Sequence, residues 1–232
     1  MNPSVRTIKI INNYIKHAEG SCFFSMGNTR VLCVASIEEK RPPHAEEKNM
    51  GWVTAEYSML PRAGDRRTPR NRATSGGRSQ EISRLIGRSF RSVIDLEKLG
   101  ARTITIDCDV IQADGGTRTA SINGGMIALT FALKKLYKEG SITEWPLRDI
   151  VSAVSVGIIN GKIILDLDYE KDKDADTDAN FVMTGKGKIV EIQGTAEKEP
   201  FSQKEFIQLL KTAEQGIKQI IQFQKKAIGK MP

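Results

Sequence analysis

Gly115-Gly116-Thr117-Arg118-Thr119 lies where a strand-like run of sequence passes into a helix-like one. Before it, Thr103 to Val110 alternates polar and apolar residues, which predicts a half-buried strand. After it, Ala120 to Leu136 is largely apolar and contains no proline, which predicts a buried helix. A glycine-rich bend at a helix start directs free backbone N–H groups toward an anion, and the planar guanidinium of Arg118 suits phosphate oxygens. The stretch therefore predicts either an anion site or a tight turn capped by a hydroxyl.

The composition is that of an ordinary globular protein with an excess of basic residues. Of 232 residues, 39% are hydrophobic and 27% charged, and the formal net charge is +7 at pH 7. Part of that excess lies in one stretch whose only acid is Asp65. Its arginines are Arg62, Arg66, Arg67, Arg70, Arg72 and Arg78. Such a stretch is either a solvated loop or a phosphate-binding surface, and the use of arginine rather than lysine favours phosphate.

The cysteines and the N-terminal sequence bear on the cellular compartment. Cys22, Cys33 and Cys108 are odd in number, far apart and form no CxxC pair, so the sequence predicts neither a disulfide framework nor a zinc site. The N-terminal segment reaches Asn12 before any long apolar stretch forms, so we expect no signal peptide and no membrane span. These features predict a cytoplasmic protein that has no membrane partner.

The rest of the chain indicates short strands, turns and amphipathic helices. The predicted strands are Val5–Ile10, two within Ser21–Ile37 joined at Gly27-Asn28, Trp52–Tyr57, Ser152–Gly157, Lys162–Tyr169, Asn180–Met183 and Lys188–Gln193. A polar loop is predicted over Pro61–Gly77, a helix from Glu81 to Gly100, and a C-terminal helix that includes Phe206 to Ile221. We expect one α+β domain over residues 1–232, with mixed β-sheets of hairpins packed against three main α-helices.

An acidic segment is the second chemical signal. In Leu165-Asp166-Leu167-Asp168 the alternation predicts a strand with both aspartates on one face. Further acids follow up to Asp178. Like charges this close need compensation, either from arginines or from a hard cation such as Mg²⁺. A solvated acidic loop is the alternative interpretation.

The sequence lacks the common signatures of a covalent nucleophile and of a nucleotide-binding P-loop. Neither GxSxG nor the Walker A pattern GxxxxGK[ST] occurs. What remains is a set of arginines, a glycine-rich helix start and carboxylates suited to a metal. That combination favours phosphoryl transfer by positioning and charge neutralisation.

Several segments together resemble the ribonuclease PH family, in order and nearly from end to end. They are Lys16–Ser21, Gly51–Tyr57, Met59–Arg62, Gly76–Arg78, Arg84–Ser89, Asp107–Val110, Gln112–Ser121 and Val190–Glu197. The resemblance implies a phosphate-dependent exoribonuclease that trims the 3′ extensions of tRNA precursors and releases nucleoside diphosphates. It also implies the reverse addition of nucleotides, the α+β fold shared with polynucleotide phosphorylase and exosome core subunits, and a homo-hexamer built as a trimer of dimers.

The resemblance further implies roles for particular residues. The attacking inorganic phosphate would be held by Arg78, Gly116, Thr117 and Arg118. A divalent ion, Mg²⁺ or Mn²⁺, would be bound by Asp172 and Asp178, with Asp178 also a candidate proton donor. The catalytic set would thus comprise Asp172, Asp178, Arg78 and Arg118. RNA would be bound by the loop arginines Arg62, Arg66, Arg67, Arg70 and Arg72.

The chain departs from the family pattern in a few places. It begins with Met1-Asn2-Pro3, after the basic Arg-x-Asp-Gly-Arg segment with which the family begins, so either the start codon is called late or that segment is missing. Its arginine-rich loop is slightly shorter, and Ala179 replaces a methionine. Two other functions stay open on the sequence: a ring subunit that binds RNA without catalysis, and a hydrolytic metal-dependent nuclease.

Overall fold

In the computed structural model, which describes residues 3–70 and 76–232, two β-sheets pack around one long helix. The first sheet contains β1 (Ile8–Asn12), β2 (Gly20–Met26), β3 (Thr29–Glu38), β4 (Trp52–Met59) and β5 (Thr103–Gln112). Its strand order is β1-β2-β3-β5-β4, and only the pair of β4 and β5 is parallel. Arg72, one of the predicted RNA-binding arginines, lies outside the described residues.

The second sheet is wholly antiparallel. It contains β6 (Val151–Ile159), β7 (Lys162–Leu165), β8 (Thr177–Thr184) and β9 (Ile189–Ala196), in the order β7-β6-β8-β9. The turns at Gly27-Asn28 and Asn160-Gly161 join neighbouring antiparallel strands, which confirms the two hairpins predicted there.

The long helices of the described residues pack against the sheets and against one another. The helices are α1 (Pro43–Glu46), α2 (Gly77–Arg91), α3 (Leu96–Leu99), α4 (Thr117–Lys138), α5 (Tyr169–Asp174) and α6 (Gln203–Ile228). The longest of them, α2, α4 and α6, are the three main helices expected from the sequence. Among the residues that the structure describes, no helix is both long and apolar enough to cross a membrane.

The central helix α4 joins the two sheets into one core because it is buried on nearly every side. It packs against β2 and β3 of the first sheet and against β6 of the second. Two glycines allow this close approach. A Cβ added at Gly124 would lie 2.7 Å from Phe24 Cβ, and one at Gly125 would lie 2.7 Å from Phe90 Cζ. The helix that follows the glycine-rich turn is therefore held rigidly from both sides.

The strand before that turn behaves as its alternation predicts. The apolar positions of β5 are fully buried, whereas the intervening polar residues are only half-buried. Cys108 lies on this buried face, and Cys33 and Cys22 occupy the paired positions on the adjacent strands β3 and β2. All three are buried free thiols. Burial raises the pKa of the Cys22 thiol to about 12.

The helix predicted from Glu81 to Gly100 is wrong in its second half. Helix α2 ends at Arg91, and Gly100 ends only the short α3. The chain leaves the helix because Ile94 forms a β-bridge with Leu147, while the N–H of Asp95 donates to the carbonyl of Pro146 at 2.8 Å. These partners lie far along the sequence, so a local apolar stripe could not reveal them.

The strand predicted over Lys162–Tyr169 is also wrong at its end. Strand β7 stops at Leu165, and Asp166 adopts a left-handed conformation with φ of 57°. Asp168 then caps α5 by accepting a hydrogen bond from the N–H of Lys171 at 3.0 Å. The two aspartates therefore do not share one face of a strand, and each has a separate structural task.

Candidate active site

The glycine-rich turn forms an open helix start. Gly115 and Gly116 both have positive φ values, 72° and 64°, and Gly116 is the residue that precedes α4. A Cβ added at Gly115 would lie 2.5 Å from the carbonyl oxygen of Leu167. Within the described residues no side chain caps this helix start, so the prediction of a turn capped by a hydroxyl is wrong. The first N–H groups of α4 are left available for an anion.

The back of the turn is anchored by Arg6, a residue to which the sequence assigned no role. Its Nη1 donates to the carbonyl oxygen of Asp114 at 2.6 Å, and its Nη2 donates to Asp166 Oδ1 at 2.7 Å. The Asp166 side chain is fully buried, so the pair is a desolvated salt bridge. Thr29 Oγ1 also donates to the Gly115 carbonyl oxygen at 2.6 Å. Thr29 Oγ1 in turn accepts from the N–H of Asp114 at 3.0 Å, so this side of the turn is held by Arg6 and Thr29.

A cleft of about 940 Å³ lies beside the turn and is lined by residues of both sheets. All six predicted phosphate and metal residues line it, namely Arg78, Gly116, Thr117, Arg118, Asp172 and Asp178. Arg78 and Arg118 are each the second residue of a long helix, α2 and α4 respectively. The structure thus brings together residues that lie up to one hundred positions apart in the sequence.

The charges in the cleft act on one another. Burial, followed by the neighbouring Asp178 carboxylate, raises the pKa of Asp172, whereas Arg78 and Arg118 act to lower it. The same two guanidiniums act on the Tyr57 hydroxyl. Both arginines therefore lie within electrostatic reach of the Asp172 carboxylate and of the Tyr57 hydroxyl, near the glycine-rich turn, which we call the phosphate turn.

Tyr57 is a further member of the site that sequence reasoning did not assign, although it lies in one of the family-like segments. It is buried on β4, and its hydroxyl donates to Thr117 Oγ1 at 2.8 Å. Burial raises the pKa of Tyr57, which keeps the phenol protonated as a donor at neutral pH. Because its oxygen accepts from Tyr57, the Thr117 hydroxyl can direct its own hydrogen into the cleft.

Other acids of the segment have partners outside the cleft. Asp166 pairs with Arg6, and Asp176 pairs with Lys198 at 2.6 Å while accepting from the N–H of Asn160 at 2.8 Å. Of this segment's acids, Asp172 on α5 and Asp178 on β8 line the cleft. The acidic segment is therefore neither one solvated loop nor one cluster of metal ligands.

The donor set suits a hard divalent cation with a mostly aqueous shell. Mg²⁺ commonly takes one or two protein carboxylates and completes its shell with water and phosphate oxygens. Asp172 and Asp178 can supply these carboxylates. No group of three or more histidine, cysteine or acidic residues within the described ranges is arranged as an all-protein metal cage. The residues therefore fit Mg²⁺ or Mn²⁺ as a loosely held ion.

The loop that contains the predicted RNA-binding arginines borders the cleft. Arg62, Arg66, Arg67 and Arg70 are all exposed. Gly64 and Asp65 of the same loop line the cleft itself. The base of the loop is closed by the N–H of Thr68, which donates to the carbonyl of Pro61 at 2.7 Å. These four arginines are thus close in sequence to residues that line the cleft, although none of the four lines it, and Arg70 lines a separate pocket with Asp107 and Asp109.

Comparison with known proteins gives consistent matches along the chain. The family model described as the 3′ exoribonuclease family, domain 1, matches residues 4–134, and domain 2 of the same family matches residues 149–216. Ribonuclease PH of Neisseria meningitidis serogroup C is 54% identical over 229 residues, which are 97% of this chain and 94% of that protein. Ribonuclease PH of Neisseria gonorrhoeae is 53% identical over the same shares.

Solved structures of more distant proteins have the same fold. The crystal structure of rice Rrp46 matches with a TM-score of 0.77 at 18% identity, covering 97% of this chain and 96% of that one. A chain of the Archaeoglobus fulgidus exosome with RNA bound to its active site matches with a TM-score of 0.79 at 22% identity, covering 94% and 88%. At these identities the likeness concerns the fold alone.

Proposed function

The chain belongs to the ribonuclease PH family of 3′ exoribonucleases, and we propose that it trims the 3′ extensions of tRNA precursors and other RNA 3′ ends by phosphorolysis. Inorganic phosphate is the second substrate, and each cycle releases one nucleoside diphosphate. One observation carries this proposal: Arg78, Arg118 and the open start of α4 line the same cleft as Asp172 and Asp178.

Phosphorolysis requires two anions to approach each other. The attacking phosphate is an anion, and the scissile phosphodiester carries a negative charge as well. Arg78, Arg118 and the N–H groups at the start of α4 neutralise and orient the attacking phosphate. The hydroxyl of Thr117, held by Tyr57, adds a neutral donor at the same place. The protein thereby fixes the nucleophile without forming a covalent intermediate.

The chemical step balances without any further reactant. A phosphate oxygen forms a bond to the phosphorus of the last phosphodiester, and the bond from that phosphorus to the O3′ of the preceding nucleotide breaks. The leaving O3′ takes a proton, for which Asp178 is our candidate donor, and Asp178 regains a proton from the hydrogen phosphate that has attacked. The products are a nucleoside diphosphate and an RNA shorter by one nucleotide. Run backward, the same site adds a nucleotide from a diphosphate.

Asp172 and Asp178 are our candidates for holding Mg²⁺ or Mn²⁺. When bound, the ion supplies positive charge against the scissile phosphate. We expect chelation to abolish nucleotide release and added Mg²⁺ to restore it, and Asp172→Asn to raise the metal concentration required.

The exposed loop arginines are our candidates for the RNA-binding surface, because phosphate contacts from Arg and Lys dominate nucleic-acid affinity. We further propose that the protein works in the cytoplasm as a homo-hexamer, a trimer of dimers. Size-exclusion chromatography with light scattering tests the assembly. A mass of one or two chains at working concentration would contradict the hexamer.

Arg118→Ala tests whether Arg118 serves phosphate binding rather than tRNA binding, with Arg148→Ala as the matched control. Arg148 forms an exposed ion pair with Asp95 and has no place in the cleft. We expect Arg118→Ala to lower phosphate-dependent release by about 10²–10³-fold, the scale of removing one preorganised electrostatic interaction. The affinity for tRNA should change little in either variant. Equal losses of activity and of tRNA affinity in Arg118→Ala would contradict the assignment.

A further inference from the structure

The guanidinium of Arg118 is held by side chains from two other elements. Its Nη1 donates to Gln193 Oε1 at 2.5 Å and lies 3.4 Å from Glu81 Oε1. Gln193 lies on β9, and Glu81 lies one turn after Arg78 on α2. The candidate phosphate ligand is therefore fixed by contacts from both halves of the fold.

The amide of Gln193 has only one orientation that satisfies its neighbours. Its Nε2 donates to Glu81 Oε1 at 3.1 Å and to Glu191 Oε1 at 3.2 Å. An ionised carboxylate can only accept hydrogen bonds, so the amide nitrogen faces the acids and the amide oxygen faces Arg118. Glu191 is itself held by an ion pair with Arg88 at 2.7 Å. Gln193 thus offers Arg118 a neutral acceptor that fixes its position and leaves its charge intact.

Glu81 acts on the same guanidinium in a different way. Its carboxylate carries a full negative charge, and its side chain is half exposed, whereas that of Arg118 is only 18% exposed. Inorganic phosphate is also an anion that would bind this guanidinium. Glu81 therefore competes with phosphate for Arg118, and its negative charge also repels the phosphate.

We propose that Gln193 is a positioning residue that orients Arg118 toward inorganic phosphate, and that the Glu81 carboxylate competes with phosphate for Arg118 and so weakens phosphate binding. The inference rests on the proposed role of Arg118 as a phosphate ligand. It predicts that substitutions of two side chains in contact with one guanidinium change phosphate affinity in opposite directions. If both side chains had a purely structural role, the two substitutions would change phosphate affinity in the same direction or leave it unaltered.

The test uses the full-length protein with Gln193→Met and Glu81→Gln. The dissociation constant of inorganic phosphate is measured by calorimetry, and the KM values for phosphate and for a 3′-extended tRNA are measured in the phosphorolysis assay. We expect Gln193→Met to weaken phosphate binding about 10-fold, the scale of a hydrogen bond to a charged group. We expect Glu81→Gln to tighten it about 3-fold, the scale of an exposed ion pair.

Two further readouts separate positioning from stability. The KM for tRNA and the melting temperature should stay at the wild-type values in both variants, because neither side chain is part of the core. Glu144→Gln is the matched control, since it removes the acid of another exposed ion pair, with Lys98, outside the cleft. It should leave the phosphate dissociation constant unchanged.

The inference is overturned if both variants shift the phosphate dissociation constant in the same direction, or if neither shifts it while the wild-type protein binds phosphate. Its failure is distinguishable from failure of the proposed function. A wild-type protein that binds phosphate but releases no nucleoside diphosphate would contradict phosphorolysis, and calorimetry would still decide the roles of Gln193 and Glu81.

Discussion

Replacing Arg6 by methionine should both destabilise the fold and weaken phosphate binding. Arg6 donates to Asp166 from its backbone N–H at 2.8 Å, from Nε at 3.0 Å and from Nη2 at 2.7 Å. The same side chain donates to the carbonyl of Asp114 behind the phosphate turn. One guanidinium therefore neutralises a buried acid and anchors the turn that opens α4.

The magnitude follows from the burial of the pair. The Asp166 side chain is 0% exposed and that of Arg6 is 16% exposed, so Arg6→Met leaves a desolvated carboxylate without its cation. Breaking a buried pair in this way costs about 3–5 kcal/mol. At about 2–4 °C per kcal/mol for a chain of this size, the melting temperature should fall by roughly 6–20 °C. The phosphate KM should rise by about 10- to 100-fold if the turn shifts by an ångström.

The double variant Arg6→Met with Asp166→Asn separates the two effects. Asparagine carries no charge and tolerates the left-handed conformation at this position. The double variant should therefore recover much of the lost unfolding free energy while the phosphate KM stays high. Urea unfolding followed by circular dichroism, together with phosphate titrations of the initial rate, measures both quantities. Arg148→Met, which breaks an exposed pair, should cost less than about 1 kcal/mol.

Two results would refute this reasoning. A loss below about 1 kcal/mol in Arg6→Met would mean that the buried charge does not need its partner. Recovery of both stability and phosphate KM in the double variant would mean that Arg6 serves the fold alone and does not anchor the turn.

Three further changes have expected outcomes. Tyr57→Phe removes the donor to Thr117 and should raise the phosphate KM about 3- to 10-fold, the scale of one hydrogen bond, with the tRNA KM unchanged in the same rate assay. Asp107→Asn should stabilise the protein at neutral pH, because burial and Glu56 raise the pKa of Asp107 and so disfavour its charged form in the folded state. In urea unfolding this gain should vanish below about pH 3.5, where the aspartate is protonated in both the folded and the unfolded state. Arg66→Ala with Arg67→Ala should lower the slope of log affinity for tRNA against log salt by about one for each RNA phosphate that is no longer neutralised, and an unchanged slope would exclude these arginines from RNA binding.

The strand, turn and helix around the phosphate turn could be predicted because their causes are local. The alternation of β5 requires only that one face be buried, and two positive φ values require glycine. The helix begins slightly earlier than expected, at Thr117 rather than Ala120. Polar residues at a helix start weaken the apolar pattern that indicates the boundary, and this explains the difference.

The errors in the acidic segment have a non-local cause. Alternation predicts a strand through Asp168, yet Asp166 turns away to meet Arg6, which lies 160 positions earlier in the chain. No local pattern contains that partner. The convergence of Asp172 with Asp178 on the arginines is implied by the family resemblance and not by spacing, because it depends on how β8 and α5 pack beside α4. The contacts of Gln193 and Glu81 with Arg118 are invisible to sequence reasoning for the same reason.

Phosphorolysis itself is best tested by incubating the protein with a 3′-extended tRNA, Mg²⁺ and isotopically labelled inorganic phosphate, and separating the released nucleotides. We predict nucleoside diphosphates that carry the label in their terminal phosphate, and no release when phosphate is omitted. Unlabelled nucleoside monophosphates released without phosphate would indicate hydrolysis. If the protein binds the tRNA but releases no nucleotide, it is a non-catalytic RNA-binding subunit. Either of these two results would contradict phosphorolysis.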